Sequence, residues 1–399
     1  MTCDFLVIGG GILGLTVSVQ LRRKWPEATV VIIEKERECG LHASGRNSGV
    51  LHAGFYYSAD SLKARFTRDG NAALRDFCLE KGLRINECGK LVVARDEREL
   101  DALDELARRG EANGVAVAMV SDADAKRIEP RVKTFRRAIW SPTTATADPR
   151  EVIGALVREA EHSGVRMMTS TAFLSARGRE VRTTAGTLQA GYVVNCAGLH
   201  ADRIAHSFGF GTHYRIAPFK GLYLYSSEPP GAFRTNIYPV PDLRNPFLGV
   251  HFTVTVDGRT KIGPTAIPCL GREQYGWVRG LRARDGIESV RTMLSLMLRA
   301  GFDFRALAWQ EVRKYWRPHM VRQAAKLAEG VHVSQYRTWG RPGIRAQLVD
   351  LRSRKLVMDF CLEGDDRSMH VLNAVSPAWT CAIPFAAHVC DAIAARTGD

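Results

Sequence analysis

The stretch TCDFLVIGGGILGLTVSVQLRRK (residues 2–24), followed by VVIIEK (residues 30–35), decides the fold. Thr2 to Ile8 is a nearly continuous apolar run that ends in glycines, as a strand buried on both faces requires. Ile12 to Lys24 reads as a helix and Thr29 to Glu34 as a second buried strand. Gly9, Gly11 and Gly14 form G-x-G-x-x-G between strand and helix, and Glu34 follows Gly14 by twenty positions. Gly9 permits the tight turn, Gly11 lets the backbone approach a pyrophosphate, and Gly14 lets helix and strand pack closely. The N–H groups that open the helix, at Ile12 and Leu13, favour an anion. Glu34, with Lys35 after it, is placed to accept hydrogen bonds from a ribose diol. This pattern predicts a dinucleotide site and leaves NAD and FAD both open.

Further out, strand-like and helix-like segments alternate, which argues for an α/β fold. Helices are predicted over Ser61 to Lys81 and Glu97 to Asn113. Another starts at Asp148-Pro149, with Asp as N-cap and Pro at the first helical position. Tyr192-Val193-Val194 reads as a further buried strand. From about Tyr214 to Gly263, strands separated by Pro and Gly turns predict an antiparallel sheet. Gly286 to Ala300 and Ala306 to Trp316 read as helices. The chain closes with a strand near Met369 to Leu372 and a helix after Pro377. Parallel-type elements at the start, middle and end predict two interleaved domains. A Rossmann-like nucleotide-binding domain takes 1–80, 145–212 and 335–399; a substrate domain with a mostly antiparallel sheet takes 81–144 and 213–334.

A chain of 399 residues suits about two domains of roughly 100–200 residues. Its 45% hydrophobic and 25% charged residues are those of an ordinary globular protein. Nothing reads as a transmembrane span or a signal peptide: the apolar opening is too short and runs straight into glycines. The nine cysteines are single, odd in number and without metal spacing, so reduced thiols, a cytoplasmic compartment and no metal site are expected. The net charge of +14 is spread along the chain rather than gathered in a tail. No nucleic-acid motif accompanies it. It suits an anionic small-molecule substrate and admits a peripheral contact with an anionic membrane at its inner face.

LHASGRNSGVLHAGFYY (residues 41–57) is rich in small and polar residues, yet its Val50-Leu51 and Phe55-Tyr56-Tyr57 are too apolar for a solvated loop. It offers backbone N–H groups to a large flat ligand. For His52 three roles stay open on residue chemistry: general base, hydrogen-bond donor, or a core histidine satisfied by its neighbours.

GRNSGVLHAGFYYSADSLKARF (residues 45–66) resembles the corresponding segment of the L-2-hydroxyglutarate dehydrogenases (also called oxidases), FAD enzymes of the D-amino-acid oxidase-like superfamily. The resemblance covers nearly the whole chain, through NECGKLVVA (86–94), VVNCAGLHADRIA (193–205), YPVPD and PFLGVHFT (238–253), GPTA (263–266), GIRAQ (343–347) and NAVSPAWTCAI (373–383).

The resemblance implies noncovalent FAD. The glycine loop and Glu34 would hold its ADP half, and Ser44, Arg46, Asn47, Ser48, Gly49 and Val50 would line the flavin half. Ala197-Gly198 would pass the pyrophosphate, and Phe173 would give a backbone contact to adenine. The segment Asn373 to Thr380 would face the flavin, with the helix start at Ser376-Pro377-Ala378 pointing at the isoalloxazine. A helix N-terminus carries a partial positive charge that suits a reduced flavin. A 2-hydroxy dicarboxylate needs cations for two carboxylates and a base for the hydroxyl proton. His52 and His251 are the base candidates. Arg345 is the first choice for a carboxylate. Lys220, Lys63 and Tyr56 come second, and the plainer reading of Lys63 is a helix-surface lysine.

The family's PFRGEY is here PFKGLY, with Lys220 and Leu222; its HQTGHNSG is HASGRNSG, with Ala43 and Arg46. The expected activity is oxidation of L-2-hydroxyglutarate to 2-oxoglutarate by hydride transfer to flavin N5, with a quinone, oxygen or another acceptor taking the electrons. The alternatives are an FAD enzyme for another small 2-hydroxy acid or an amino acid, and a flavoprotein that holds FAD without catalysis.

Overall fold

The computed structural model describes residues 1–241, 249–276, 280–299, 304–374 and 376–398. Residues 242–248, which hold Asp242 of the YPVPD match and the first three residues of PFLGVHFT, Val375, and Ala300 at the end of one expected helix lie outside the described residues.

Thr2–Ile8 lies at the heart of an eight-stranded sheet. It pairs in parallel with Val30–Ile33 on one side and with Gly186–Asn195 on the other. Arg166–Met168 and Ser368–Asn373 extend the parallel part, and Phe173–Arg177 with Glu180–Thr183 adds an antiparallel edge. The runs are apolar because both sheet faces are covered, one by helices and the other by the antiparallel hairpin strands with the short helix Ala201–Ser207; Leu6, Val7 and Ile32 are completely buried. The helices Ile12–Lys24 and Leu62–Glu80 match their expected spans, the second capped by the Ser61 hydroxyl. Pro149–His162 starts as expected, with the Asp148 carboxylate accepting from the Arg150 N–H.

The closing helix Ala378–Thr397 differs from the sequence reading in one respect. It is long and apolar enough to cross a membrane. Its apolarity serves the core instead: Cys381, Phe385, Val389 and Ile393 are fully buried, and it packs on Ile12–Lys24 and Leu62–Glu80.

A second eight-stranded sheet runs Tyr336–Trp339, Leu224–Ser226, Thr260–Gly263, His251–Val254, Asn236–Pro239, Lys90–Val93, Arg137–Ser141, Ala118–Ser121. Its pairings are antiparallel except that Asn236–Pro239 lies parallel to Lys90–Val93. Tyr336–Trp339 was expected within the nucleotide-binding segments and instead forms the edge of this sheet. Tyr214–Gly221 pairs with Gly343–Asp350 in a smaller sheet, which aligns Phe219 with Arg345. Val50–Leu51, Ala145–Ala147 and Ile85–Asn86 form a short three-stranded junction.

Candidate active site

A cavity of about 730 Å³ runs from the Gly9–Gly11 turn to Tyr238, His251 and Arg345. At its first end, Gly9 has φ +109° and a Cβ there would lie 2.7 Å from the Cys196 carbonyl oxygen. A Cβ on Gly14 would lie 1.8 Å from the Gly9 oxygen, so helix and turn meet only because that position is bare. The Glu34 carboxylate accepts from the Gly10 N–H at 2.8 Å and the Glu36 N–H at 2.9 Å. It is thus fixed by the turn it faces, and its remaining lone pairs can serve a diol. The Ser44 hydroxyl accepts from the Ile12 N–H at 2.9 Å, tying the small-residue loop to the helix start.

The sequence candidates gather on this cavity. Gly9, Gly11, Ile12, Leu13, Glu34, Lys35, Ser44, Arg46, Asn47, Ser48, Val50, Phe173, Ala197, Gly198, Ser376, Pro377, Ala378 and Thr380 all line it, with His52, His251 and Arg345 at the far end. Gly14, Gly49, Asn373, Tyr56, Lys63 and Lys220 lie off the wall. Asn373 donates to the carbonyls of Val357 and Asp359, at 3.1 and 2.6 Å, and so holds a neighbouring segment. Lys220 donates to the Gly276 carbonyl at 3.0 Å. Lys63 corrects its plainer reading. It is 6% exposed, because the helix start that carries it tucks against Asp359, whose carboxylate accepts from the Leu62 and Lys63 N–H groups. Burial and the charge of Arg345 pull its pKa down to about 8.

At the far end both base candidates are neutral. Burial first, then Lys90 and His251, pull His52 down to about 3. Its backbone N–H donates to the Thr380 hydroxyl at 3.2 Å, which seats the imidazole beside the first turn of the closing helix. His251 opens a strand in which Phe252 and Val254 face one core, leaving His251 and Thr253 on the other face. Its ring stacks on Tyr238 with centroids 3.7 Å apart. Its Nδ1 lies 2.8 Å from the Gly249 carbonyl oxygen. A carbonyl only accepts, so Nδ1 carries the proton and Nε2 keeps its lone pair. Burial pulls its pKa to about 3. Burial likewise lowers Arg345, to about 10, which leaves it a cation at neutral pH.

Sequence reasoning missed three features. Lys90 and Tyr238 lay inside quoted motifs, but nothing in their spacing joined them to the histidines. The segment Gly271–Gly276 gave no signal at all. It adds Glu273 to the cavity lining, where Glu273 accepts from Lys35 and pairs with His200, both at 2.7 Å, and Tyr275 bonds His42 Nδ1 at 2.6 Å. The Arg46 guanidinium stacks on the Tyr275 ring at 4.1 Å. Glu36, His42 and Glu273 are close enough to ligate a metal, but the Lys35 ammonium already bonds both carboxylates, so the group reads as an ion network.

The cavity fits FAD: a bare-glycine turn and a carboxylate at one end, a helix N-terminus and neutral bases at the other. A model of the FAD-dependent oxidoreductase family matches residues 4–392. The L-2-hydroxyglutarate dehydrogenase of Salmonella houtenae is 34% identical over 97% of this chain and 92% of that protein. The mitochondrial L-2-hydroxyglutarate dehydrogenase of Homo sapiens is 33% identical over 98% of this chain and 89% of that protein. Among solved structures, the FAD-bound L-α-glycerophosphate oxidase of Mycoplasma pneumoniae superposes with a TM-score of 0.77 at 19% identity, over 98% of this chain and 95% of that one. The glycine oxidase of Geobacillus kaustophilus gives 0.71 at 19% identity, over 99% and 95%. With FAD as its cofactor and a CH–OH group as its donor, the chain belongs to the FAD-dependent oxidoreductase family and, within it, to the L-2-hydroxyglutarate dehydrogenases.

Proposed function

We propose that this protein oxidises L-2-hydroxyglutarate to 2-oxoglutarate. The observation that carries the reading is the cavity lining: two neutral imidazoles and a buried guanidinium on the same cavity, in a chain whose relatives are named for that substrate. Arg345 offers a planar fork to a carboxylate, and Lys63 adds charge behind it. His251 Nε2, or the His52 ring, takes the hydroxyl proton. FAD, held by the Gly9–Gly14 turn, Glu34 and the Ser44–Val50 loop, would supply the acceptor for the C2 hydride. Burial excludes water from the transfer, and the N-terminus of the closing helix faces the charge that develops. The departures at Lys220 and Leu222 motivate another 2-hydroxy acid as substrate, but neither residue lines the cavity, which favours the leading reading. Anaerobic addition of L-2-hydroxyglutarate to the yellow protein should bleach the flavin band. Bleaching by another hydroxy or amino acid, with none from either 2-hydroxyglutarate enantiomer, would overturn the substrate.

The acceptor we assign is a membrane quinone, reached from an anionic lipid surface at the cytoplasmic face. Helix Ala283–Arg299 exposes Ile287, Val290, Leu294 and Met297 at helical spacing, and Trp309, Val312 and Trp316 follow, with Leu294 at 52% and Trp309 at 65% exposure. Arg282, Arg284, Arg291, Arg305 and Arg313 are exposed around them. An apolar row with tryptophans and a basic rim suits the headgroup boundary of anionic lipid. The protein should sediment with vesicles containing phosphatidylglycerol. Leu294→Glu with Trp309→Glu should release it without changing flavin reduction; equal sedimentation of wild type and variant would overturn the surface.

A further inference from the structure

Strand Lys90–Val93 begins with a lysine although every position in it is buried. The Lys90 side chain is 0% exposed, and among the described residues its Nζ has no hydrogen-bond partner. It sits in a cage of aromatic rings, 4.5 Å from Phe55, 4.6 Å from Tyr56 and 5.0 Å from Tyr238. The Tyr56 hydroxyl beside it is buried and equally without a hydrogen-bond partner. Burial alone pulls the lysine down to about 7, and among the described residues no carboxylate offsets it. Buried charges are ordinarily paired, and a cation–π cage returns only part of the lost hydration. Lys63 has Asp359 near it, and Lys261 has Asp148 and Asp257. Among the described residues, the titratable groups around Lys90 are His52, His251, Tyr56 and Tyr238, none of them an anion at neutral pH. Tyr238 and His251, stacked together, form the cavity wall on this side, and Lys90 stands behind that wall.

We infer that Lys90 supplies the counter-charge for a second carboxylate on the substrate, and so selects dicarboxylates over monocarboxylates. The inference rests on the proposed oxidation of a 2-hydroxy dicarboxylate and adds a residue to it. The ammonium need not touch the ligand. In a low-dielectric wall its field reaches a carboxylate across one ring, and the bound anion supplies the charge the protein leaves out. Arg345 and Lys63 form a separate basic group for the carboxylate next to the reacting carbon. Lys90 is a specificity residue acting through the Tyr238–His251 wall.

The test compares flavin-loaded wild type, Lys90→Met, Lys90→Gln and Lys90→Arg on L-2-hydroxyglutarate and on L-2-hydroxypentanoate, which has the same carbon chain without the second carboxylate. Either uncharged variant should raise KM for the dicarboxylate on the order of tenfold. Its kcat should stay within about threefold, and its KM for the monocarboxylate should not move. Lys90→Arg should keep the wild-type preference. Flavin content and melting temperature identify which of the two uncharged variants is folded. A folded uncharged variant that shifts both substrates alike, or neither, overturns the inference while leaving the function intact. A wild type that reduces its flavin with neither acid overturns the function itself.

Discussion

At the nucleotide end of the cavity, the polar groups of the glycine turn are matched within the first βαβ unit and the loop after it: Gly10 and Glu36 hold Glu34, and Ser44 holds Ile12. At the reaction end, His52, Lys90, His251 and Arg345 come from four distant segments, and among the described residues the buried Lys90 ammonium has no hydrogen-bond partner or acid beside it. The first end is complete as folded and presents backbone to a ligand of fixed shape. The second is electrostatically incomplete and waits for an anion. Stability was spent where chemistry requires unpaired charge and saved where only shape is required.

The sharpest way to break this contrast is at Gly14. A Cβ there meets the Gly9 oxygen at 1.8 Å, a contact that only a shift of helix against strand relieves. Gly14→Val should abolish flavin binding, measured as loss of the visible absorbance of the purified protein; a yellow variant would show that the turn is more compliant than its geometry. The next largest effect belongs to the bases. Replacing the true base by Asn should lower the rate of anaerobic flavin reduction by about 10²–10⁴ while FAD stays bound. His251→Asn and His52→Asn, measured side by side, separate the base from its neighbour. Equal, small effects in both would remove histidine from the proton transfer.

The same contrast explains what could be read in the sequence. The strand–turn–helix around Gly9 to Gly14 is local: its apolar periods, glycines and acidic residue lie within one βαβ unit, and the observed helix Ile12–Lys24 has the expected bounds. Ser61 and Asp148 were legible as caps for the same reason. Lys63 and Lys90 were not. A lysine at a helix start reads as surface until Asp359, nearly 300 positions on, is seen to bury it, and Lys90 became significant only when parallel pairing set Asn236 beside it and brought Tyr238 onto the same face. Glu273 is the extreme case, since its partners Lys35 and His200 are joined to it only by the folded chain.

Glu273 also gives a smaller test of the nucleotide end. Its bonds to His200 and Lys35 hold its carboxyl well below the ordinary range, so the latch is ionised at any working pH. Glu273→Gln should keep the fold but weaken FAD retention by about tenfold, the loss of a charge-assisted contact pair, read as flavin released during dialysis. Retention equal to wild type would make the Gly271–Gly276 segment incidental.

The last effect is a stability change at the reaction end. His251 is 2% exposed, and burial lowers its pKa from 6.5 to about 3. The unfolded chain therefore binds a proton below about pH 6.5 that the folded site refuses. The folded state keeps its full margin above that value and loses it as the pH falls toward the folded pKa. By pH 5 the loss is about 2 kcal/mol for this one group. His251→Leu, which cannot take up the proton, should melt lower than wild type at pH 7.5 through lost packing, but its melting temperature should fall less between pH 7.5 and 5. Parallel decline of the two proteins would mean that water reaches the imidazole. The far end of the cavity would then be wet, and both the neutral base and the long reach of Lys90 would lose their physical ground.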